Sequence, residues 1–290
     1  MTRVDPVRDL ALKGDAVEEW LDLRFFRPLG IRIAHALRPT RVSADDVTVW
    51  SMLIGLVGGH LLMYQRPGVN ALGFALFVLS DIFDSADGQL ARLRGTSTGF
   101  GRVLDGIGDS ARFINLYLHL AIRLVLAGSP VWWAVPLTGA ALLSHSTQSA
   151  GVDFIKNAFL YIAVGGRGEL ELPEEVSGLK GGNGIERLAR RMYLAYLKRQ
   201  TRLFPRSTEL IRRRREAGGF DSLRSRYRAV QQPLLPWCAL IGQNIRIFLV
   251  GTACMLGQPG LYLWATVTAM NVLFVALVVL HERNVSRIAA

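Results

Sequence analysis

The chain has 290 residues, half of them hydrophobic (50%), and a formal net charge of +11. A soluble chain of this length would form one or two domains, but here the apolar residues gather into runs, Val47–Met63, Ala71–Leu79, Ile114–Ala127, Val131–Leu143, Ile247–Leu256 and Leu261–Leu280. With adjoining positions several reach the roughly 20 residues of a bilayer-spanning helix. This disfavours a large soluble core, and because most Lys and Arg lie between the runs, a membrane accounts for the charge more simply than nucleic acid does.

In chain order, Met1–Asp15 has neither an apolar core nor a cleavage pattern, so no signal peptide is expected. Over Val17–Leu37 the apolar Trp20, Leu21, Phe25, Leu29, Ile33 and Leu37 are interspersed with Arg24, Arg27 and Arg32. That spacing suits an amphipathic helix on the cytoplasmic surface with its arginines toward lipid phosphates. Ser43, followed by Asp45 and Asp46, reads as an N-cap with acids in the first helical turn. Six spans are then expected: Asp45–Tyr64, Val69–Leu93, Thr98–Ala127, Pro130–Val164, Pro233–Leu256 and Gly260–Arg283. The segments before Val47 and from Gly165 to Gln232 are basic, whereas Gly128–Pro130 and Gly257–Gly260 carry no charge and Gln65–Gly68 carries one. Both termini in the cytoplasm therefore satisfy the positive-inside rule.

The expected fold class is an all-α polytopic membrane protein, six transmembrane helices with an N-terminal amphipathic interfacial helix. Its parts are a lead-in (1–44), helices one to four (45–164), a basic cytoplasmic insertion (165–232) and helices five and six (233–290). Trp132, Trp133, Tyr262 and Trp264 fall where an aromatic belt would lie. The insertion has helical spacing over Ile185–Phe204, and its run Arg212–Arg215 reads as an orientation signal or an anionic-lipid contact. Cys238 and Cys254 share one predicted helix about 24 Å apart, too far to bridge within it, and read as packing residues.

The second and third spans hold the chemistry: Asp84-x2-Asp87-Gly88-x2-Ala91-Arg92, eight residues, then Gly101-x3-Asp105-x3-Asp109. Asp84 and Asp87 share one helix face, as do Asp105 and Asp109. The short link Arg94–Thr98 lets the two helices pack side by side, so four carboxylates can converge near the cytoplasmic boundary. An Asp deep in a spanning helix costs about 2.5–3.5 kcal/mol on insertion scales, and four unpaired would cost on the order of 10 kcal/mol. One or two divalent cations would offset that cost, and an all-oxygen ligand set suits Mg2+ or Mn2+ rather than zinc. Gly88 and Gly101 leave room beside the acids for a ligand to reach the backbone.

The pattern D-x2-D-G-x2-A-R-x8-G-x3-D-x3-D resembles the signature of the CDP-alcohol phosphotransferase family at every fixed position. The resemblance implies transfer of a phosphate-linked group from a CDP-activated donor to an alcohol, with release of CMP. It implies that Asp84, Asp87 and Asp105 hold two metal ions with Asp109 at the edge of the cluster, and that Asp109 is the general base. It further implies that Gly88, Ala91 and Gly101 lie against the donor, with Arg92 either a phosphate contact or a structural charge, and that the protein is a homodimer. CDP-diacylglycerol in phospholipid synthesis is the first-choice donor. A CDP-amino alcohol used as in choline or ethanolamine phosphotransferases, a CDP-inositol-type donor, and a nonenzymatic membrane scaffold are the alternatives. The family's usual opening of the first span is reduced here to Ser43, Val47 and Thr48, which leaves a donor role for Thr48 open.

Other polar residues within the spans are candidates for the acceptor. Arg112 shares the face of Asp105 and Asp109, and could bind an acidic group on the acceptor or form an ion pair with Asp109. His119 reads as a hydrogen-bonded packing residue, and Arg123 as a residue snorkelling to the outer boundary. Lys156 and Arg246 are the remaining acceptor candidates, an intramembrane Arg being functional by default. The expected partners are the CDP-linked donor, the alcohol acceptor and membrane lipids, not nucleic acid. The expected location is a bacterial inner membrane with the site facing the cytoplasm.

Overall fold

The computed structural model describes residues 17–96, 99–165, 170–177 and 184–289. The first 16 residues, Thr98 and parts of the expected insertion lie outside them. Among the described residues the chain is helical and has no strand. A π-helical stretch, Asp22–Phe26, leads into α1 (Arg27–Leu37). There follow α2 (Ala44–Leu61), α3 (Pro67–Arg94), α4 (Gly99–Leu126), α5 (Val131–Phe159), α6 (Pro173–Ser177), α7 (Gly184–Leu203), α8 (Pro205–Glu216), α9 (Arg224–Gln231), α10 (Leu235–Ala239), α11 (Gln243–Met255), α12 (Pro259–Val267) and α13 (Ala269–Ala289).

Three helical stretches among the described residues are long and apolar enough to cross a membrane: Pro67–Arg94, Arg224–Met255 and Pro259–Ile288. The first four expected spans correspond to α2, α3, α4 and α5, the last prolonged by a π-helical stretch, Leu160–Gly165. The fifth and sixth were each expected as one helix and are each interrupted. Leu240, Ile241 and Gly242 take bonds to carbonyls three residues back, a tighter turn that separates α10 from α11. Gly242 at the break is the residue least able to sustain a helix there. The sixth stretch breaks at Thr268, between α12 and α13. Cys238 and Cys254 consequently sit on different helices, both buried and free.

The chain divides into two compact units. The first takes residues 18–144 and 244–267, and is built on close approach of α2 and α3. A methyl group added at Gly58 would lie 2.9 Å from the Gly73 carbonyl oxygen, and one at Gly73 would lie 2.9 Å from that of Gly58. Small residues facing one another let two backbones meet where no hydrophobic effect drives helices together. The start of α2 is set locally: Ser43 accepts from the Asp46 amide at 3.1 Å, and Asp46 accepts from the Ser43 amide at 2.8 Å. The sequence foretold Ser43 as the N-cap and acids in the first turn; the structure adds the reciprocal bond from Asp46. Helix α1 lies on α3, with Ala34 packed in a small core beside Val47, Ala86 and Leu90. Trp20 and Phe25 are exposed, as an interfacial segment would leave them.

The end of α3 is fixed twice. Gly95 adopts the left-handed conformation (φ +66°), so that its amide reaches the Arg92 carbonyl and that of Thr96 reaches Ala91. Arg94 then donates to the carbonyls of Leu37, Arg38, Thr40 and Val42, tying this end to α1 and the turn after it.

The second unit takes residues 145–243 and 268–290, with Val17. Its core includes Phe154, Phe159, Phe204, Ile211, Tyr227 and Phe274. Glu282, buried on α13, accepts from the Arg206 and Ser207 amides and the Ser207 hydroxyl at the start of α8. It supplies there the negative charge a helix N-terminus favours. The basic run is largely engaged within the unit: Arg212 pairs with Glu174, Arg213 with Glu209 and Arg215 with Glu175. The Arg212 bond holds the Glu174 carboxyl below its ordinary pKa.

The Gly58–Gly73 contact gives a direct test. Gly58→Ala should destabilise the protein by about 1–3 kcal/mol, read as a lower melting temperature in detergent. Gly68→Ala, where an added methyl group meets nothing within 4 Å, should stay within about 0.5 kcal/mol of wild type.

Candidate active site

Five acidic side chains and one guanidinium meet where the C-terminal half of α3 lies beside the N-terminal half of α4, all within the first unit. Asp84, Asp87 and Asp105 each bring a carboxylate oxygen within 4.8 Å of the others. The i, i+3 spacing on α3 supplies two of these oxygens and α4 the third. All three donors are carboxylate oxygens, a set that suits Mg2+ or Mn2+ and lacks the thiolate or imidazole that zinc favours.

Asp109, one turn beyond Asp105, joins the group through Arg112. The Arg112 side chain is 1% exposed and spans the cluster. Its Nη2 donates to Asp84 at 3.1 Å and also to Asp109, and its Nη1 donates to Asp81 at 3.0 Å and to the Ser80 hydroxyl at 2.6 Å. The Ser51 hydroxyl in turn donates to the Ser80 carbonyl at 3.0 Å. Gly55 makes this possible, because a methyl group there would run into the Arg112 stem and lie 2.7 Å from the Ser80 hydroxyl.

Burial differs sharply among the acids. Asp81 is 7% exposed, whereas Asp84 is 29% and Asp109 36% exposed. Asp109 is thus accessible from outside the cluster while Asp81 is buried. Asp87, also buried, accepts from the Thr48 hydroxyl at 2.6 Å.

Asp81 was not singled out by the sequence reading, and Thr48 was named there with its role left open. Asp81 lies three residues before Asp84 on the same helix face, a fifth acid in an apolar helix that needed a cation. Thr48, whose family role the sequence left open, orients a carboxylate. The remaining candidates fall as follows. Gly88 is partly exposed, and an added methyl group would sit 3.5 Å from the Arg92 guanidinium, so Arg92 lies over that glycine. Ala91 and Gly101 are also partly exposed.

Arg246 is fully buried on α11, within electrostatic reach of Tyr117, whose hydroxyl meets that of Tyr262 at 2.8 Å. Tyr262, placed in an aromatic belt by the sequence, is therefore a core residue. Lys156 is half-buried in the second unit.

Farther along α4, His119 Nδ1 faces the Asn115 carbonyl at 2.8 Å, and its Nε2 faces His60 Nδ1 at 3.0 Å. Arg123 is 3% exposed rather than snorkelling. It donates to the carbonyls of Leu62 and Cys254 and to the Asn70 side chain.

Residues 41–152, which include every residue of this cluster, match the sequence profile of CDP-alcohol phosphatidyltransferases. These residues form a CDP-alcohol phosphatidyltransferase domain. Two similar proteins, from Thermococcus kodakarensis and Rubrobacter xylanophilus, are each named bifunctional IPC transferase and DIPP synthase. They are 26% and 32% identical to this chain over 152 and 158 residues, covering 51% and 50% of it and 33% and 34% of their own length. A third, the CDP-diacylglycerol–glycerol-3-phosphate 3-phosphatidyltransferase of Cereibacter sphaeroides, is 34% identical over 77 residues, 27% of this chain and 34% of its own. The chain thus spans about a third of the length of the curated relatives it matches.

The Thr48–Asp87 bond yields a second prediction. Thr48→Val leaves a buried carboxylate oxygen without this donor and should cost about 1–3 kcal/mol in thermal melts, whereas Thr48→Ser, which keeps the hydroxyl, should melt close to wild type.

Proposed function

We propose that this protein is a membrane enzyme that transfers a substituted phosphate group from a CDP-activated donor to an alcohol and releases CMP. The observation that carries the reading is the convergence of Asp84, Asp87 and Asp105 beside the more exposed Asp109, within the domain matched to the family. Asp84, Asp87 and Asp105 would hold Mg2+ or Mn2+, as one or two ions. A bound divalent cation would neutralise the donor pyrophosphate as CMP departs. Asp109 accepts the proton of the acceptor hydroxyl. The hydroxyl oxygen then bonds to the phosphorus, and the P–O bond to CMP breaks with its electron pair leaving on CMP. Gly88, Ala91 and Gly101 form the open face against which the donor lies, and Arg92, held over Gly88, is placed to meet its phosphates.

The acceptor side stays with Lys156 and Arg246 as candidates. Arg112, committed to three carboxylates, is better suited to fastening the acids than to gripping an acceptor. The three candidate spans, together with the length of α2, α4 and α5, support a six-span protein, and the family resemblance alone suggests a homodimer. Its basic segments and its site would face the cytoplasm, in a bacterial inner membrane.

CDP-diacylglycerol is the first donor reading, in keeping with the name of the Cereibacter relative. A CDP-inositol-type donor is the second.

The test is CMP release by purified protein with Mg2+ or Mn2+, using CDP-diacylglycerol and CDP-inositol-type donors against a panel of alcohols. Acceptor-dependent CMP is expected, lost with chelator, and lowered in Asp109→Asn by about 10²–10⁴-fold. Metal-independent release, or an Asp109→Asn variant as fast as wild type, would sink the reading.

A further inference from the structure

Asp81 lies outside the signature and outside the trio of closely spaced carboxylates, yet it is the most deeply buried of the three carboxylates that Arg112 reaches. Its oxygen and the Ser80 hydroxyl engage Arg112 Nη1 at 3.0 and 2.6 Å, while Nη2 on the other edge of the fork reaches Asp84 and Asp109. A guanidinium is planar and its donors are fixed relative to one another. Holding one edge therefore determines how far the other edge can swing.

We propose that Asp81 is a positioning residue acting through Arg112. With Ser80 it tethers the guanidinium beneath the cluster, so that Arg112 links Asp84 to Asp109 without closing over the carboxylate face that takes a divalent cation. This inference rests on the reading of Asp84, Asp87 and Asp105 as cation ligands.

The physical argument is one of competition. Arg112 and a divalent cation seek the same oxygens of Asp84. A guanidinium held at Nη1 by Asp81 and Ser80 meets Asp84 through Nη2 alone. If that hold is lost, the guanidinium settles more fully on Asp84 and Asp109, and the cation must displace it. The tether is itself supported: Ser51 donates to the Ser80 carbonyl, the Ser80 hydroxyl donates to that of Ser51 at 2.8 Å, and Gly55 leaves room for the arginine stem. Three helices thus contribute to fixing one side chain.

The experiment measures Mn2+ binding to the purified full chain by electron paramagnetic resonance and calorimetry, alongside thermal melting. Two variants are compared with wild type. Asp81→Asn keeps the shape and removes the charge; Ser80→Ala removes one hydrogen bond from the tether and no charge. Orienting groups behind metal ligands typically alter affinity by about 10–100-fold. Asp81→Asn is expected to weaken Mn2+ binding at least tenfold and Ser80→Ala to weaken it measurably in the same direction, both read below the melting transition, which falls in Asp81→Asn and stays nearer wild type in Ser80→Ala.

Weakening in Asp81→Asn with none in Ser80→Ala would mean that Asp81 acts only through its field, and would overturn the tether. Unchanged binding in both variants would overturn it as well. A wild-type protein that takes up no Mn2+ would overturn the cation-site reading itself, a result distinct from either of these.

Discussion

Everything in the first unit is arranged around a repulsion. Five carboxylates from two apolar helices approach one another in a setting where water is scarce and like charges separate helices rather than join them. Arg112 is the group that makes the approach tenable. It bridges acids of α3 and α4, and it reaches three of the five. Removing one partner from a buried ion network leaves a charge uncompensated, which is far more costly than never having built the pair. The network is therefore a commitment: once Asp81 is buried, Arg112 has to remain, and with Arg112 in place the spacing of α3 and α4 is set for Asp84 and Asp109 together.

Close packing of α2 is the second condition. The Gly58–Gly73 contact brings two backbones together, and Gly55, one turn earlier on α2, opens the space that the arginine stem fills. The same helix brings Thr48 to Asp87 and Ser51 to the Ser80 backbone. Helix α2 carries none of the signature acids, yet it orients one of them and braces the segment that anchors Arg112. The cluster of acids depends in this way on a helix that carries none of them.

That contrast explains how much could be read in advance. The helices from α1 to α5 were legible because hydrophobic length and local signals decide them; the Ser43–Asp46 cap and the ends of α3 and α4 fell close to expectation. The acid-bearing motif was legible because its chemistry lies in residue types at helical spacing. Asp81 was not, because the motif begins at Asp84 and a lone acid three residues earlier gives no hint of which cation will meet it. Nor were the breaks at Leu240–Gly242 and Thr268, since a hydropathy run is blind to where a helix loosens within it. The pairing of Arg212 and Arg215 with Glu174 and Glu175 required two segments far apart in sequence to meet, which no local pattern encodes.

Arginines within an apolar helix are usually taken as signs of function, and here their surroundings divide them. Arg94 and Arg123 both donate to backbone carbonyls at or near helix ends, Arg94 at the close of α1 and Arg123 at Leu62 and Cys254 near the ends of α2 and α11. The last carbonyls of a helix lack intrahelical donors and carry its negative pole, and in a bilayer no water substitutes for the missing partner. A long cationic side chain solves both problems at once, so such an arginine serves the fold whatever chemistry occurs elsewhere. Arg112 differs because its acceptors are carboxylates rather than carbonyls, and because two of them, Asp84 and Asp109, are also exposed enough to meet a ligand. The distinction between a structural and a functional intramembrane arginine therefore rests on what accepts its hydrogen bonds, a property of the folded bundle and not of the residue's depth in the sequence.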